Sequence, residues 1–139
     1  MWQALDVSTS ALVAQRIRLH AITSNLANIS TTHNEDGEPA PYQPRFVIFQ
    51  TAEDIGPPGA PGVRVASVEI EEREPLWKYQ PGHPDAVRSG PMAGYVAYPN
   101  INMMTEMTDA LEAARSYEAN LGAIEITKDL HHQTLRILA

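Results

Sequence analysis

Residues 102–138 read NMMTEMTDALEAARSYEANLGAIEITKDLHHQTLRIL, and this stretch decides the fold. It contains no proline and a single glycine, Gly122, and its apolar residues recur at the three- and four-residue spacing of an α-helix. They are Met103, Met107, Ala110, Leu111, Ala114, Tyr117, Leu121, Ile124, Leu135 and Leu138. A helix over this stretch is about 55 Å long, whereas a small domain is roughly 30 Å across.

The second half of this helix is also apolar on another side. At about 100° per residue, Ile126, Leu130 and Ile137 lie roughly 200° away from the side of Ile124. A helix that is apolar on opposite sides is buried on both, and a chain of 139 residues has little with which to cover it. We therefore predict a subunit of a larger assembly.

A second helix is predicted at the start of the chain, over residues 2–28. Leu5, Leu12, Leu19 and Leu26 recur every seventh residue, and Ile22 fits the same seam between two helices. Polar residues at the intervening positions make the seam too weak for an autonomous coiled coil. The simpler interpretation is an amphipathic helix packed on its own core, but a second apolar stripe favours packing among several helices.

The segment between the helices alternates turns rich in proline and glycine with short apolar runs that are typical of strands. Strands are predicted over residues 45–50 and 63–70, with a short third strand over 76–79 and a further extended segment over 94–99. The glycine–proline run 56–62 is predicted to be a hairpin loop. Asn100 and Asn102 are both candidates for the N-cap of the long helix.

The predicted fold class is therefore α+β, with long N- and C-terminal helices paired as a coiled-coil-like layer and a small β-rich insert between them. Residues 1–29 and 101–139 form the terminal helical domain, and residues 30–100 form a β-rich outer segment. If the helices pack antiparallel, both termini lie at one end and the sheet is expected at the other.

Charge and composition exclude several classes of function. The net charge of −7 and the pI of about 5.1 argue against a nucleic-acid-binding surface and disfavour an anionic membrane. The chain has no cysteine, which excludes disulfides and cysteine-based metal or redox chemistry. No apolar run is long enough to span a membrane, and the first residues lack the features of a signal peptide. A role outside the cytoplasm would require export without a cleaved signal.

The sequence offers little chemistry. Asp129, His131 and His132 are the best candidates for a catalytic or metal-binding group, but a polar strip near a helix C-terminus explains them more simply. A nucleophile elbow and a phosphate-binding glycine loop are both missing. We predict no enzyme and no catalytic, cofactor or metal site. Two alternatives are a small hydrolase that uses these three residues and a helical adaptor module that binds a single protein partner.

Several motifs together resemble a known family. Residues 10–16 (SALVAQR) and 21–32 (AITSNLANISTT) resemble the N-terminal signature of bacterial flagellar rod and hook proteins. Proximal-type rod proteins are similar in residues 79–86 (YQPGHPDA), 94–102 (GYVAYPNIN) and 113–120 (AARSYEAN), with Glu106-Met107. The run from residue 79 to residue 102 is the more specific part. The chain departs from that pattern in residues 33–44 and in the loop 56–62.

The resemblance implies a structural subunit of the proximal rod of the flagellar basal body, which assembles helically and transmits torque for motility. In this family both terminal helices form the inner layer of a tube, and the middle segment packs outside. The implied partners are further copies of the chain, other proximal-rod and distal-rod subunits, the adaptor between rod and membrane ring, and the flagellar type III export apparatus. No nucleic acid or small-molecule substrate is expected. The rod crosses the periplasm, and its subunits are exported without a cleaved signal peptide.

This assembly assigns a set of apolar residues on both helices to subunit interfaces. They are Leu5, Leu12, Leu19, Ile22, Leu26, Met107, Leu111, Leu121, Ile124, Ile126, Leu130, Leu135, Ile137 and Leu138.

Overall fold

The computed structural model describes residues 2–138 and places a long helix at each end of the chain. Helix α1 spans Trp2–Ala27 and helix α2 spans Met103–Leu138. The strands between them are β1 (Arg45–Ala52), β2 (Gly62–Ile70), β3 (Leu76–Tyr79) and β4 (Tyr95–Tyr98). This order of elements confirms the predicted α+β class, with a small β-rich insert between two long helices.

Helix α2 begins at an asparagine cap. The Asn102 side-chain oxygen accepts hydrogen bonds from the backbone N–H groups of Met104 (2.9 Å) and Thr105 (3.2 Å), which have no partner inside the helix. The other candidate cap, Asn100, instead donates its side-chain N–H to the Glu74 carbonyl. Asn102 is therefore the N-cap.

The two helices pack antiparallel with an offset. Asn25 Nδ2 donates to the Glu106 carboxylate at 3.1 Å, and Arg18 Nη2 donates to the Glu112 carboxylate at 3.4 Å. In an antiparallel pair the sequence numbers of facing residues have a constant sum, which is about 130 at both bonds. Trp2 therefore lies opposite approximately residue 128. Helix α2 has 36 residues and helix α1 has 26. The last ten residues of α2, 129–138, therefore extend beyond the end of α1, and we call this segment the overhang.

Small side chains form the centre of the helix pair. Ala14, Ala21 and Ile22 of α1 and Ala113 of α2 are buried, whereas Leu5, Leu12, Leu19 and Leu26 are all only half-buried. The predicted leucine seam is thus not the most buried part of α1. Alanines permit the two backbones to approach closely, so the larger side chains lie towards the edges of the contact.

The first two strands form an antiparallel hairpin that lies along α1. Arg45 pairs with Ile70 at one end and Ala52 with Gly62 at the other, with a register shift after Ile48. Near the loop, the backbone N–H of Val63 donates to Ser10 Oγ at 3.1 Å. The hairpin therefore reaches back towards the N-terminal half of α1. The expectation that the sheet lies only at the far end of the helix pair is wrong for this hairpin, because its loop packs on α1.

The other two strands form a separate antiparallel sheet, with Leu76 opposite Tyr98 and Tyr79 opposite Tyr95. The rings of Tyr79 and Tyr95 meet edge to face at 5.2 Å. Val96 of β4 is fully buried. The insert thus contains two small sheets and not a single one. The two helices pack against each other along the length of α1.

Candidate subunit interface

The first turns of α2 present a row of large apolar side chains to solvent. Met103, Met104, Met107 and Leu111 are between 49% and 72% exposed, and we call this row the methionine stripe. Leu121 continues it nearly three turns further on. The side of α2 that faces α1 carries smaller or polar residues instead, so the predicted interface residues Met107, Leu111 and Leu121 remain uncovered by their own chain.

A second exposed apolar set lies towards the end of α2. Ile126, Leu130, Leu135 and Ile137 are between 50% and 84% exposed. Their own chain does not cover them, and their burial by another subunit stays a prediction. Leu138 ends the helix, but its side chain lies outside the part of the structure that is described.

The other predicted interface residues differ in how much surface they retain. Ile22 is only 6% exposed and packs inside its own chain. Ile124 and the four leucines of α1 are half-buried. These five side chains therefore retain part of their surface for contact with a neighbour.

The total surface is large for a chain of this size. The accessible area is 9553 Å², whereas a compact monomer of 15.3 kDa exposes about 7,100 Å². Among the described residues the buried apolar set is small, and three of its members are alanines on the helices: Ala14, Ala21, Ile22, Ala52, Val96, Ile101 and Ala113. The apolar surface that a compact fold would bury internally is here available for contacts with neighbours.

A buried asparagine joins both helices to the first strand. Asn25 is 2% exposed. Its side-chain N–H groups donate to the Arg45 carbonyl (2.9 Å) and to Glu106, while its oxygen accepts from the Arg45 N–H (2.8 Å) and the Tyr42 hydroxyl (3.3 Å). Tyr42 also shares a hydrogen bond with Ser24. All four hydrogen-bonding positions of the amide are used, so the residue fixes the angle between α1, α2 and β1.

A carboxylate makes a second joint, between the segment that follows α1 and the segment before β4. Asp85 accepts a hydrogen bond from the Thr32 hydroxyl at 2.6 Å and lies 3.3 Å from His33 Nδ1. The Asp85 backbone N–H donates to His83 Nδ1 at 3.1 Å. The Thr32 hydroxyl is the main reason that the pKa of Asp85 lies below its ordinary value. Burial opposes this lowering, and the two histidines add to it. The joint connects residues 21–32 with residues 79–86, two of the regions that carried the family resemblance.

A third joint supports the start of α2. Arg73 donates to the Asn100 carbonyl at 3.2 Å and to the Glu71 carboxylate at 2.6 Å, and its backbone N–H donates to Gln43. The hydrogen bond to Glu71 raises the pKa of Arg73 above its ordinary value, so the guanidinium stays charged. Arg73 thereby holds together three parts of the chain: the linker before β1, the segment after β2 and the start of α2.

A groove of about 610 Å³ lies between α1, α2 and the start of β1. Its charged walls are already engaged by contacts within the chain: Arg18 with Asp109 and Glu112, and Arg73 with Glu71. No arrangement of a nucleophile beside a base appears in this groove. The groove belongs to the joints between the helices and the insert.

The residues considered for chemistry do not form a site. His131 and His132 have ring centroids 6.3 Å apart, and Asp129 is exposed on the overhang. Within residues 2–138, no group of three or more histidine, aspartate or glutamate side chains is placed to hold a metal ion. Over the same residues, none of the helices combines the length and hydropathy that a bilayer span demands.

The polar joints were not predicted from the sequence. Asn25 carries a weak signal, because asparagine is unfavourable inside a helix unless its side chain is used elsewhere. Asp85 carried none beyond its place in a turn. The partners of both residues lie tens of positions away along the chain, up to 81 for Asn25 and Glu106.

Comparison with known proteins gives consistent matches over almost the whole chain. Residues 5–33 match the family described as "Flagella basal body rod protein", and residues 92–137 match the family described as "Flagellar basal body rod FlgEFG protein C-terminal". These two regions contain most of α1 and nearly all of α2.

Individual relatives cover the middle segment as well. The chain is similar to the flagellar basal-body rod protein FlgC of Borreliella burgdorferi, with 36% identity over 152 residues that cover 99% of this chain and 97% of the relative. FlgC of Aquifex aeolicus is 39% identical over 136 residues, covering 96% and 94%. FlgC of Bacillus subtilis is 35% identical over 150 residues, covering 98% and 97%.

Proposed function

Because this chain belongs to the FlgC type of flagellar basal-body rod proteins, we propose how it builds the rod: its terminal helices form the inner layer of the tube and residues 30–100 lie outside. Membership of this family makes the chain a structural subunit of the bacterial basal-body rod, which serves motility, and not an enzyme. The resemblance in the sequence is thereby confirmed. The proposal includes two further points. Residues 1–29 and 101–139 form the helical domain, and the part of the rod that the chain builds is the proximal one.

One observation supports the inner-layer arrangement most directly. Helix α2 leaves large apolar side chains exposed along the methionine stripe and also on the side of Ile126, Leu130 and Ile137. Burial of apolar surface contributes about 25 cal/mol per Å², so every 100 Å² covered by a neighbour contributes about 2.5 kcal/mol before the costs of association. Repeated along a tube, such contacts give the stiffness that a rotating shaft requires.

The arrangement of these residues favours many neighbours over a single partner. At about 100° per residue, the exposed apolar side chains from Met103 to Leu130 spread over roughly 180° around the axis of α2. A partner seated on one side leaves the other side exposed. An adaptor that binds one protein needs only one apolar stripe, so the exposed pattern agrees with the family assignment and disfavours the adaptor alternative.

The proposal includes the surroundings of the subunit. Its neighbours are further copies, other proximal-rod subunits, distal-rod subunits and the adaptor between rod and membrane ring. The type III apparatus exports it without a cleaved signal, and the assembled rod crosses the periplasm. The buried joint at Asn25 carries torque from the inner helices to the outer segment, because its hydrogen bonds connect α1, α2 and β1.

The test places a charge on the proposed interface. Leu121→Asp, on α2, and Leu19→Asp, on α1, are expected to abolish rod assembly and swimming in cells that lack their own copy of the gene. Ser89→Asp adds the same charge to an exposed loop of the outer segment and serves as the matched control. Circular dichroism of each purified variant shows whether the subunit still folds. Normal swimming by the folded Leu121→Asp variant would refute the assignment of α2 to the interface.

A further inference from the structure

Oxidisable sulfur is concentrated at the start of α2. The chain has five methionines and no cysteine, and three of the five, Met103, Met104 and Met107, lie within the first five residues of that helix. Each of the three side chains is about half exposed or more, and Met104 is 72% exposed. A fourth methionine, Met92, is half-buried in the turn before β4. Redox chemistry of side-chain sulfur in this chain therefore falls to methionine, and mainly to one patch.

The three methionines share one side of the helix. Met103 and Met107 are four residues apart and lie one above the other, and Met104 lies about 100° around the axis from Met103. Their side chains are not needed for the start of α2, because the Asn102 oxygen caps the backbone N–H groups of Met104 and Thr105. A chemical change to these thioethers therefore leaves the fold of the subunit in place.

We propose that these three methionines are an oxidation site, at which a peroxide converts the free subunit into a form that does not enter the rod. The inference rests on the proposed function. The thioether sulfur attacks one peroxide oxygen, so an S–O bond forms and the O–O bond breaks. The sulfur is oxidised by two electrons to a sulfoxide, and hydrogen peroxide is reduced to water. Methionine sulfoxide reductases reverse the change, so the site can be restored.

Oxidation changes the character of the surface that the proposed function places against a neighbour. A sulfoxide is polar and chiral, whereas the thioether it replaces is flexible and apolar. A polar oxygen that is covered without a hydrogen-bond donor weakens an association by about ten-fold or more. Once the neighbour is in place it also shields the sulfur from peroxide. The subunit is therefore sensitive before assembly and protected after it.

The chemical part is tested on the purified, folded subunit with dilute hydrogen peroxide. Residues 89–115 contain no lysine or arginine before Arg115, so trypsin places Met92 and the three stripe methionines on a single peptide. Fragment ions of that peptide then compare the four sulfurs within one sample. The stripe methionines are expected to oxidise about five-fold faster than Met92 or more, because oxidation follows exposure. Circular dichroism should change little.

The assembly part is tested in cells that lack their own copy of the gene and the sulfoxide reductases. The cells make either the original chain or the triple variant Met103→Leu, Met104→Leu and Met107→Leu during a sublethal pulse of peroxide. Leucine keeps the apolar volume and cannot form a sulfoxide. The amount of original chain in isolated basal bodies is expected to fall by about five-fold, whereas the triple variant should enter normally. Met92→Leu is the matched control and should remain as sensitive as the original chain.

Two results overturn the proposal. Oxidation of Met92 as fast as that of the stripe methionines would show that the patch is not selectively exposed. An equal loss of the original chain and the triple variant from basal bodies would show that peroxide acts elsewhere. The rod function is judged separately, in cells without peroxide. If the original chain enters basal bodies there but peroxide does not distinguish it from the triple variant, only the inference falls. If the original chain never enters basal bodies, the proposed function falls.

Discussion

Replacing Asn25 with leucine tests whether one buried amide holds the helices and the insert together. Leucine has the same number and branching of side-chain heavy atoms, so the change removes hydrogen bonds without leaving a cavity. It leaves the Arg45 N–H and carbonyl, the Glu106 carboxylate and the Tyr42 hydroxyl without their partner. A buried polar group that loses its partner retains its desolvation cost, and this makes the substitution more damaging than a surface change.

The expected loss follows from the individual bonds. Each backbone bond to Arg45 contributes about 1 kcal/mol, the bond to the Glu106 carboxylate contributes about 2 kcal/mol, and the longer bond from Tyr42 contributes less than about 1 kcal/mol. The free energy of unfolding should therefore fall by about 4 kcal/mol. At about 3 °C per kcal/mol for a chain of this length, Tm should fall by roughly 12 °C. Urea and thermal unfolding followed by circular dichroism measure both quantities.

Two further variants make the test specific. Asn120→Leu removes an amide with a single local bond, to the Ser116 carbonyl, and should cost less than about 1 kcal/mol. Combining Asn25→Leu with Glu106→Met removes both partners of the charged bond, so the double variant should be about 1.5–2 kcal/mol more stable than additivity requires. If Asn25→Leu costs no more than Asn120→Leu, or if the cycle shows no coupling, the central role of Asn25 is refuted.

Further predictions concern the hairpin loop, the carboxylate joint and the overhang. Gly56→Ala and Gly59→Ala both place a side chain at positive φ, which costs about 1–2 kcal/mol. Only at Gly56 does the new Cβ also meet Val7 and the backbone of Ala60, so chemical unfolding should show a clearly larger loss of unfolding free energy for Gly56→Ala. Equal losses would contradict the contact between the loop and α1. Because the pKa of Asp85 is lowered in the folded state, its carboxylate stabilises the fold above pH 3.8, and this stability is lost as the pH falls through the pKa of the folded state. The difference in unfolding free energy between the original chain and Asp85→Asn should therefore shrink at low pH. A difference that stays constant down to about pH 2 would exclude this role. Trypsin should cleave the free subunit after Lys128 before it cleaves α1, because the overhang lacks a helix beside it. In isolated basal bodies the same site should be protected. Mass spectrometry of the fragments shows the order of cleavage in both cases.

Local signals account for what was predicted from the sequence. Helical spacing without proline defined both helices, Asn100 or Asn102 marked the start of α2, and the glycine–proline run 56–62 marked the hairpin loop. These features depend on residues close together in the chain. The family motifs then supplied the identity, because they occupy both ends and much of the middle.

The packing depends on distant residues and was less predictable. The apolar pattern of α2 allowed several sides to face α1, and the structure selects the one that carries Ala113 over the one that carries Met107 and Leu111. Small residues on α1 make that choice, since they fit closely against other small residues. The position of the hairpin along α1 depends on Ser10, 53 residues before Val63, and no local pattern encodes such a pair.

Unequal helix lengths give the subunit two different ends. At one end the turn between α1 and the insert closes the helix pair, and at the other a bare helix protrudes by about 15 Å. An assembly of such subunits in a common orientation has polarity, because the protruding end of α2 lies at one terminus and the end of the helix pair that carries the insert lies at the other. The two termini of such an assembly are different surfaces, so subunits add to them at different rates.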